Sequence, residues 1–454
     1  MSLGACRLKR PFLVLVLGLW ASFNLVSCGG SKRTGPPSGL VDRVLVSQGV
    51  SATSTFGRLV IVDGFNDTLT RTSPLSAGSS PGLMAISPSH NIAMAFDPIS
   101  STVYSVNTAK ETSIGTGVQL PGATFSMTVP TSSTVGYAAV PTANVPGFNF
   151  VGAVEVMSLT GSSITTTIAV TNAETVVANG NGSQLLVFSN DSDAVTVLTP
   201  GDALPGIDLS CSPPLNPAVC TVITGFNRPV YAILNGTTAY ILNCGFECGG
   251  TQQASVQTLD LNSLAVGKPV LVNGATYAFL SGTKLYVAGR GTPTGPQCSS
   301  LTSSVNAKTA ATYCGTLDIV DLSTMTDPYY KSLGTEIAIP DGYHDRLDMS
   351  INGQLFIGSK GCTDIGDVNN PSGEVRGCLA ILNTNTGAVV IPPDNGDVNG
   401  LQSFTSREVE YVAEGGALRV YDTTKDILLI NDFLPLGTID VIGYIGDVKA
   451  IDFF

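Results

Sequence analysis

The chain has 454 residues, with 22 Lys and Arg against 34 Asp and Glu and a formal net charge of −12. An acidic balance argues against nucleic acid as a partner and against electrostatic adhesion to anionic lipid. Charged residues make up only 12% of the chain while 50 residues are Gly. That is the composition of a β-rich exported protein and not of a helical cytosolic enzyme.

At the N-terminus, Arg7, Lys9 and Arg10 precede an apolar run from Pro11 to Val26 that is broken only by Ser22 and Asn24. The run is too short to span a bilayer comfortably and no stop-transfer pattern follows, so residues 1–27 read as a signal peptide. The string Leu25-Val26-Ser27-Cys28-Gly29 resembles the lipobox of bacterial lipoproteins. That resemblance implies cleavage before Cys28 and a lipid on its sulfur; the alternative is an ordinary secretory signal with a chance Cys. Gly29 is not the Asp that retains such proteins in the inner membrane of some Gram-negative bacteria, so the expected site is the outer membrane, facing periplasm or surface. Residues 28–40 read as the lipidated Cys and a flexible tether rich in Gly, Ser, Pro and basic residues, and residues 41–454 as the folded domain. Loss of residues 1–27 removes Arg7, Lys9 and Arg10 and no acidic residue, which takes the charge from −12 to −15.

Of the ten cysteines, Cys6 leaves with the signal and Cys28 carries the lipid. The other eight fall in neighbouring pairs: Cys211 with Cys220, Cys244 with Cys248, Cys298 with Cys314, and Cys362 with Cys378. In an oxidising envelope these predict four short-range disulfides. Zinc is the competing reading for Cys244 and Cys248, whose spacing suits it, but no second close pair or histidine accompanies them.

From residue 43 onward the chain repeats a pattern of four short strands at intervals of roughly 40 to 68 residues, which marks propeller blades. One copy runs 81–88 (PGLMAISP), 91–96 (NIAMAF) and 102–107 (TVYSVN). Another runs 229–234 (PVYAIL), 239–243 (AYILN) and 254–261 (ASVQTLDL). Further copies carry 284–289 (KLYVAG) with 315–322 (GTLDIVDL), and 410–415 (EYVAEG) with 417–423 (ALRVYDT). In their second and third strands these copies resemble the YVTN-type β-propeller repeat family. The resemblance covers nearly all of 43–454; it implies an architecture and is almost silent on function.

The blades after the first read as 81–122, 123–170, 171–226, 227–274, 275–342, 343–400 and 401–440. The stretch 43–80 lacks an inner strand, and the C-terminal 448–454 (VKAIDFF) is a strand without a blade. Together they make one blade, closing the ring and hiding its edges. The expected fold is therefore all-β, a single propeller of four-stranded blades, eight in number, with seven as the alternative. Long insertions at 140–152, 243–253, 290–314 and 360–378 all fall between second and third strands. Only 203–219 falls elsewhere, so one face of the ring is expected to be elaborated and stapled by cysteines.

Candidate chemistry is sparse. After cleavage the chain keeps His90 and His344 and no tryptophan. It has no Cys-x-x-Cys-His haem motif and no phosphate-binding Gly-rich loop, and residues 78–82 (GSSPG) match Gly-x-Ser-x-Gly only as a turn between blades. The densest polar cluster is 341–348 (DGYHDRLD). With Arg228, Arg407 and Glu408 expected at equivalent blade-to-blade links, the residues His344, Asp345 and Arg346 could surround a channel mouth and bind an anionic or sugar-like ligand. The same residues also suit interblade salt bridges and turn caps. Asp364, Asp367 and Glu374 stand near calcium-loop spacing but depart from the EF-hand pattern, so a solvated polar loop is the plainer reading and no cofactor is expected. Two functions remain: a non-catalytic, lipid-anchored binding or scaffold propeller with an envelope protein partner, and a lactonase-type hydrolase with a channel metal. The first is favoured because catalytic residues are scarce; the domain is expected to be monomeric and to bind no nucleic acid.

Overall fold

A computed structural model describes residues 36–452 apart from 52–54, 71, 73, 132–133, 204–208, 212–216, 291–314, 325–336, 363–377, 393–395 and 432–433. The expected signal segment 1–27, Cys28, and the calcium candidates Asp364, Asp367 and Glu374 lie outside the described residues. So do Cys298 and Cys314, and the disulfide expected between Cys298 and Cys314 is therefore not among those the structure describes. The other three expected disulfides are formed: Cys211 with Cys220, Cys244 with Cys248, and Cys362 with Cys378.

Strands form eight sheets, antiparallel but for one short parallel pairing, and the helical pieces among the described residues are two 3-10 turns, Pro200–Asp202 and Gly245–Cys248. The eight inner strands stand side by side around a channel: Met84–Ile86, Ser126–Thr128, Ala173–Ala178, Pro229–Asn235, Tyr277–Ser281, Tyr343–Met349, Val398–Ser403 and Tyr444–Ala450. The expected eight-bladed ring is the fold.

The middle strands of each blade are covered on both faces by neighbouring blades, so they read as continuous apolar runs without a polar alternation. Ile92–Asp97 (IAMAFD) is buried at every residue. The cores accordingly lie between blades. One joins Val44, Val46 and Val60 of the first blade to Tyr411, Ala413 and Leu418 of the eighth. Another joins Tyr286 and Leu317 of the sixth to Leu355 and Ile357 of the seventh. Removing one of the larger side chains here, such as the fully buried Phe356, is expected to cost about 3–5 kcal/mol through the cavity left in the seam.

Closure follows the expected plan. Tyr444–Ala450 lies antiparallel to Arg43–Gly49, with Val46 opposite Val448, and serves as the inner strand of the first blade. The other blades begin within a few residues of their expected bounds, with one informative difference. The inner strand of the eighth blade is Val398–Ser403, which the sequence boundary at 400/401 cuts in two. Its sequence VNGLQS reads as a turn, yet a side chain at Gly400 would collide with the Asp447 carboxylate and the Val448 backbone, and that close approach to the neighbouring inner strand is why the strand contains a glycine.

The insertion at 203–219 crosses a seam. Its short strand Leu209–Ser210 pairs in parallel with the outer strand Ser163–Ala169 of the third blade, while the insertion itself belongs to the fourth. The Cys211–Cys220 disulfide closes it inside the core between these blades.

Candidate functional site

Successive strands in a blade run in opposite directions, so the links between blades and the loops between second and third strands all emerge at one end of the ring. This loop-bearing end carries the Cys244–Cys248 and Cys362–Cys378 disulfides. The described insertion at 145–150 has no disulfide; there Phe148 and Phe150, with ring centroids 5.5 Å apart, pack onto the underlying core.

Inner strands change register as they enter from this end. In the fourth, fifth, seventh and eighth blades and in the closing strand, one residue is extra relative to the second strand: Glu174, Val230, Asp345, Asn399 and Gly446 respectively. A bulge re-aims its side chains and breaks strict alternation. In the seventh blade it leaves Asp345 and the next residue, Arg346, both partly exposed toward the channel, each with 20% of its side chain accessible.

These two residues anchor the site. Arg346 Nε donates to the Asn399 carbonyl at 2.9 Å, and its Nη1 donates to the Asp345 carbonyl at 2.8 Å. The Asp345 carboxylate lies 3.4 Å from Arg346 and accepts from Lys360 Nζ at 2.7 Å. Burial works against the Arg346 charge, but Asp345 and Asp447 hold its pKa above the ordinary arginine value. Arg346 faces a pair of tyrosines from the fifth and sixth inner strands, Tyr231 and Tyr277, whose ring centroids are 4.6 Å apart and whose hydroxyls are 3.5 Å apart. Burial raises the pKa of both hydroxyls, and the Arg346 charge opposes the rise.

Above them sits Tyr343, half exposed. Burial, and then the charges of Asp345, Glu174 and Glu247, push its hydroxyl up to about 12. Glu247 belongs to the 3-10 turn closed by Cys244 and Cys248, and both its carboxylate oxygens accept the Arg290 N–H, at 3.0 and 2.9 Å. Burial raises its pKa to about 7, against the stabilising hydrogen bond and charge of Arg290. Glu174 accepts from Asn190 Nδ2 at 2.9 Å and is also raised, chiefly by burial.

The other sequence candidates are placed differently. His344 is buried between blades, not in the channel: its carbonyl accepts from Thr276 Oγ1 at 2.9 Å, and its ring lies beside Gly315. Burial lowers its pKa to about 4, so the ring is neutral at pH 7. Arg228 does stand at a blade-to-blade link, with φ of 54°, where it pairs with Asp191 at 3.7 Å and Asp193 at 3.9 Å in the adjoining loop. Arg407 and Glu408, expected at such a link, instead occupy the turn between the first and second strands of the eighth blade, at the opposite end of the ring. Arg407 holds Asp67 of the first blade through two hydrogen bonds of 2.8 Å, and Glu408 is exposed. Their displacement follows from Val398–Ser403 being the inner strand, which reverses the end at which the next turn emerges.

Glu174, Glu247, Tyr231, Tyr277 and Asn399 are the residues that sequence reasoning missed. Glu247 alone had a signal, since it lies inside the four-residue spacing of Cys244 and Cys248 that fixes a turn. The assembled mouth offers carboxylates, a guanidinium, an ammonium and aromatic faces, which suits recognition of a polar ligand or of protein side chains. Among the described residues no three His, Cys, Asp or Glu side chains are grouped so that they could hold a metal ion.

Neither a family model nor a curated protein matches this chain. Solved structures do resemble it. Dihydro-heme d1 dehydrogenase NirN in complex with DHE superposes with a TM-score of 0.52 at 10% identity, over 94% of this chain and 78% of that one. This chain is an eight-bladed β-propeller. The propeller also resembles hydrazine synthase of Kuenenia stuttgartiensis (TM-score 0.48, 14% identity, 76% of this chain and 95% of that one). A further likeness is to the periplasmic gluconolactonase PpgL of Pseudomonas aeruginosa (TM-score 0.45, 12% identity, 90% and 99%). At such identities the likeness concerns fold alone, because propellers host unrelated activities.

Proposed function

We propose that the protein is a non-catalytic, lipid-anchored binding propeller of the bacterial envelope, which engages a protein partner through its loop-bearing end. The observation that carries this reading is where the exposed apolar side chains lie. Phe56, Ile99, Phe125, Val151, Phe246, Tyr343, Ile442 and Tyr444 are at the loop-bearing end, whereas Val41, Phe65, Ile351 and Ile427 are at the other and Leu69, Val222, Val390, Ile430 and Leu436 lie on or beside the outer strands. Apolar and aromatic groups around a set of fixed charges are the ingredients of a protein-binding surface. The signal sequence and Cys28 supply the anchor, and the tether holds this surface away from the membrane.

Photo-crosslinking amino acids placed at Phe246 and at Tyr343, with Phe65 as the control at the opposite end, test the proposal in cells producing the full chain. Specific protein adducts from the first two positions and none from Phe65 are expected. Equal adducts from all three positions, or none, would remove the basis for it. Replacing Cys28 with Ser is expected to release the protein from the membrane fraction.

A further inference from the structure

We propose that the end of the ring opposite the loops faces the bilayer, and that an apolar arc on the seventh, eighth and first blades rests on the lipid surface. The orientation rests on Cys28 carrying the lipid, as proposed above, and adds where the membrane lies relative to the binding face.

Residues 36–42 lie at this plain end, where the turns between first and second strands and between third and fourth strands also emerge. Their place is pinned. Ser38 donates to the Glu111 carboxylate through its backbone N–H at 2.8 Å and through Oγ at 2.5 Å. Glu111 stands in the turn between the third and fourth strands of the second blade, and Arg43 holds it at 2.9 Å. Leu40 packs on the core shared by the first and second blades. Residues 28–35 separate the lipid from Pro36, and that length of chain reaches at most about 28 Å when fully extended. An inner strand of seven residues, such as Tyr343–Met349, is about 23 Å long. The reach of the tether and the height of the ring are thus similar, so the tether limits distance and a surface contact must choose the end.

The plain end supplies that contact. Arg43 is paired with Asp63, and the Gly64 N–H donates to the Asp42 carbonyl at 2.6 Å. Val41 and Phe65 are the next residues beyond this rung, with 72% and 69% of their surface exposed. Arg407 of the eighth blade holds Asp67 just after Phe65, and the exposed Ile427 lies in that same blade. Asn352 Nδ2 of the seventh blade donates to the Thr423 carbonyl of the eighth at 2.8 Å, and its neighbour Ile351 is exposed. The arc therefore crosses three consecutive blades and ends beside the point where the tether joins the ring. Turns at this end of the fourth, fifth and sixth blades read 179–183 (NGNGS), 236–237 (GT) and 282–283 (GT), which hold no large apolar side chain.

A bilayer is the occupant that fits this arrangement. Single exposed apolar residues are ordinary on a protein surface. Here they are grouped on the same end and the same edge from which the anchor departs. The net charge of −12 opposes adhesion to anionic headgroups, so the contact has to be apolar. A weak apolar contact beside a lipid anchor acts as a second membrane signal and fixes how the domain sits. Seated this way, Phe246 and Tyr343 point away from the bilayer, toward a partner in the aqueous compartment.

The test uses the full chain carrying its lipid in phosphatidylcholine vesicles, with a photo-crosslinking amino acid at Phe65, Ile427 or Phe246. Lipid adducts from Phe65 and Ile427 are expected to exceed those from Phe246 at least about fivefold. The yields are expected to hold at about 1 M salt, because no charge carries the contact. Val41→Ser combined with Phe65→Ser is expected to lower the Ile427 adduct at least about twofold, and to leave the melting midpoint unchanged because both side chains are exposed. Cys28→Ser separates the two readings. If the native chain leaves the vesicles as readily as Cys28→Ser, the lipid anchor falls and the orientation falls with it. If the native chain stays bound while Phe65, Ile427 and Phe246 label lipid equally, the anchor stands and the orientation is overturned. Protein adducts in place of lipid adducts at Phe65 in cells would give the arc to a protein partner and overturn it as well.

Discussion

Arg43 and Asp452 are 409 residues apart in sequence and hold each other through four contacts: the Arg43 backbone N–H to Oδ2 at 2.8 Å, Nε to Oδ2 at 2.8 Å and to Oδ1 at 3.2 Å, and Nη2 to Oδ1 at 2.5 Å. The same guanidinium donates to Glu111 at 2.9 Å and to the Thr108 carbonyl at 2.6 Å, both in the second blade. One buried side chain thus fastens the C-terminal strand to the first blade and the first blade to the second. Hydrogen-bonded ladders close the ring; this clasp fixes where the last strand ends.

Removing one partner of a buried ion pair leaves the others desolvated and uncompensated. Arg43→Met is therefore expected to lower stability by about 3–5 kcal/mol, read as a fall in the urea midpoint. Combining it with Asp452→Asn should recover part of that loss, because the double variant strands less charge. Full additivity of the two losses would show that the clasp is not a coupled unit.

Glu414 is fully buried, where it accepts from the Tyr421 hydroxyl at 2.9 Å and lies 3.5 Å from Arg419. Burial raises its pKa to about 8, against the pull of Arg419 and Tyr421. A carboxyl whose folded pKa exceeds its unfolded value favours folding while it is protonated. Its stabilising share is present below the unfolded value of 4.5 and is lost as pH rises through about 8. Glu247 follows the same sign, with its loss complete above about 7. Glu414→Gln should flatten the decline in melting midpoint across this window. An unchanged profile would count against the assignment.

His344 has the opposite effect. Its folded pKa of about 4 lies below the ordinary value of 6.5 because burial disfavours the imidazolium. Stability is intact above 6.5 and is lost as pH falls toward about 4, since only the unfolded chain takes up the proton. His344→Gln is expected to weaken the acid limb of the stability curve while leaving the mouth charges Asp345 and Arg346 in place. NMR titration of the ring gives the direct reading, and a midpoint near 6.5 would contradict the buried placement.

The disulfides Cys211–Cys220, Cys244–Cys248 and Cys362–Cys378 close short loops, with sequence separations of 9, 4 and 16. Each should add at most about 3 kcal/mol by restricting the unfolded chain. Reduction is expected to loosen the loops at 243–253 and 360–378 while the β signature in far-ultraviolet circular dichroism persists at ambient temperature. Hydrogen exchange would locate the loss. Collapse of the whole β signal on reduction would mean that the cysteines hold the ring itself.

Much of the fold was legible because its determinants are local. A strand shows its burial in a run such as IAMAFD at 92–97, and small turns separate the strands at regular intervals, so blade number and the joining of the two termini could be read directly. The pairs of Cys211 with Cys220, Cys244 with Cys248 and Cys362 with Cys378 were legible for the same reason: their separations are short and only one partner is near. The fourth expected pair, Cys298 and Cys314, lies outside the described residues and stays an expectation from spacing. The inner strand Val398–Ser403 was not legible, because its backbone is ordered by packing against Tyr444–Ala450 and not by its own propensity.

The candidate sites divide along the same line. Sequence alone grouped Asp345 with Arg346, which the structure holds 3.4 Å apart, yet it set Arg407 and Glu408 at the wrong end of their blade, since that end depends on the parity of strands before them. The bulges that re-aim Glu174, Asp345 and Asn399 are register events between strands, and register is fixed by a neighbour's hydrogen bonds. Sequence by itself determined most of the strands, the turns and the ring, whose causes lie within a few residues of one another. Tertiary structure alone decided which side chains share a cavity, because that depends on contacts between blades far apart along the chain.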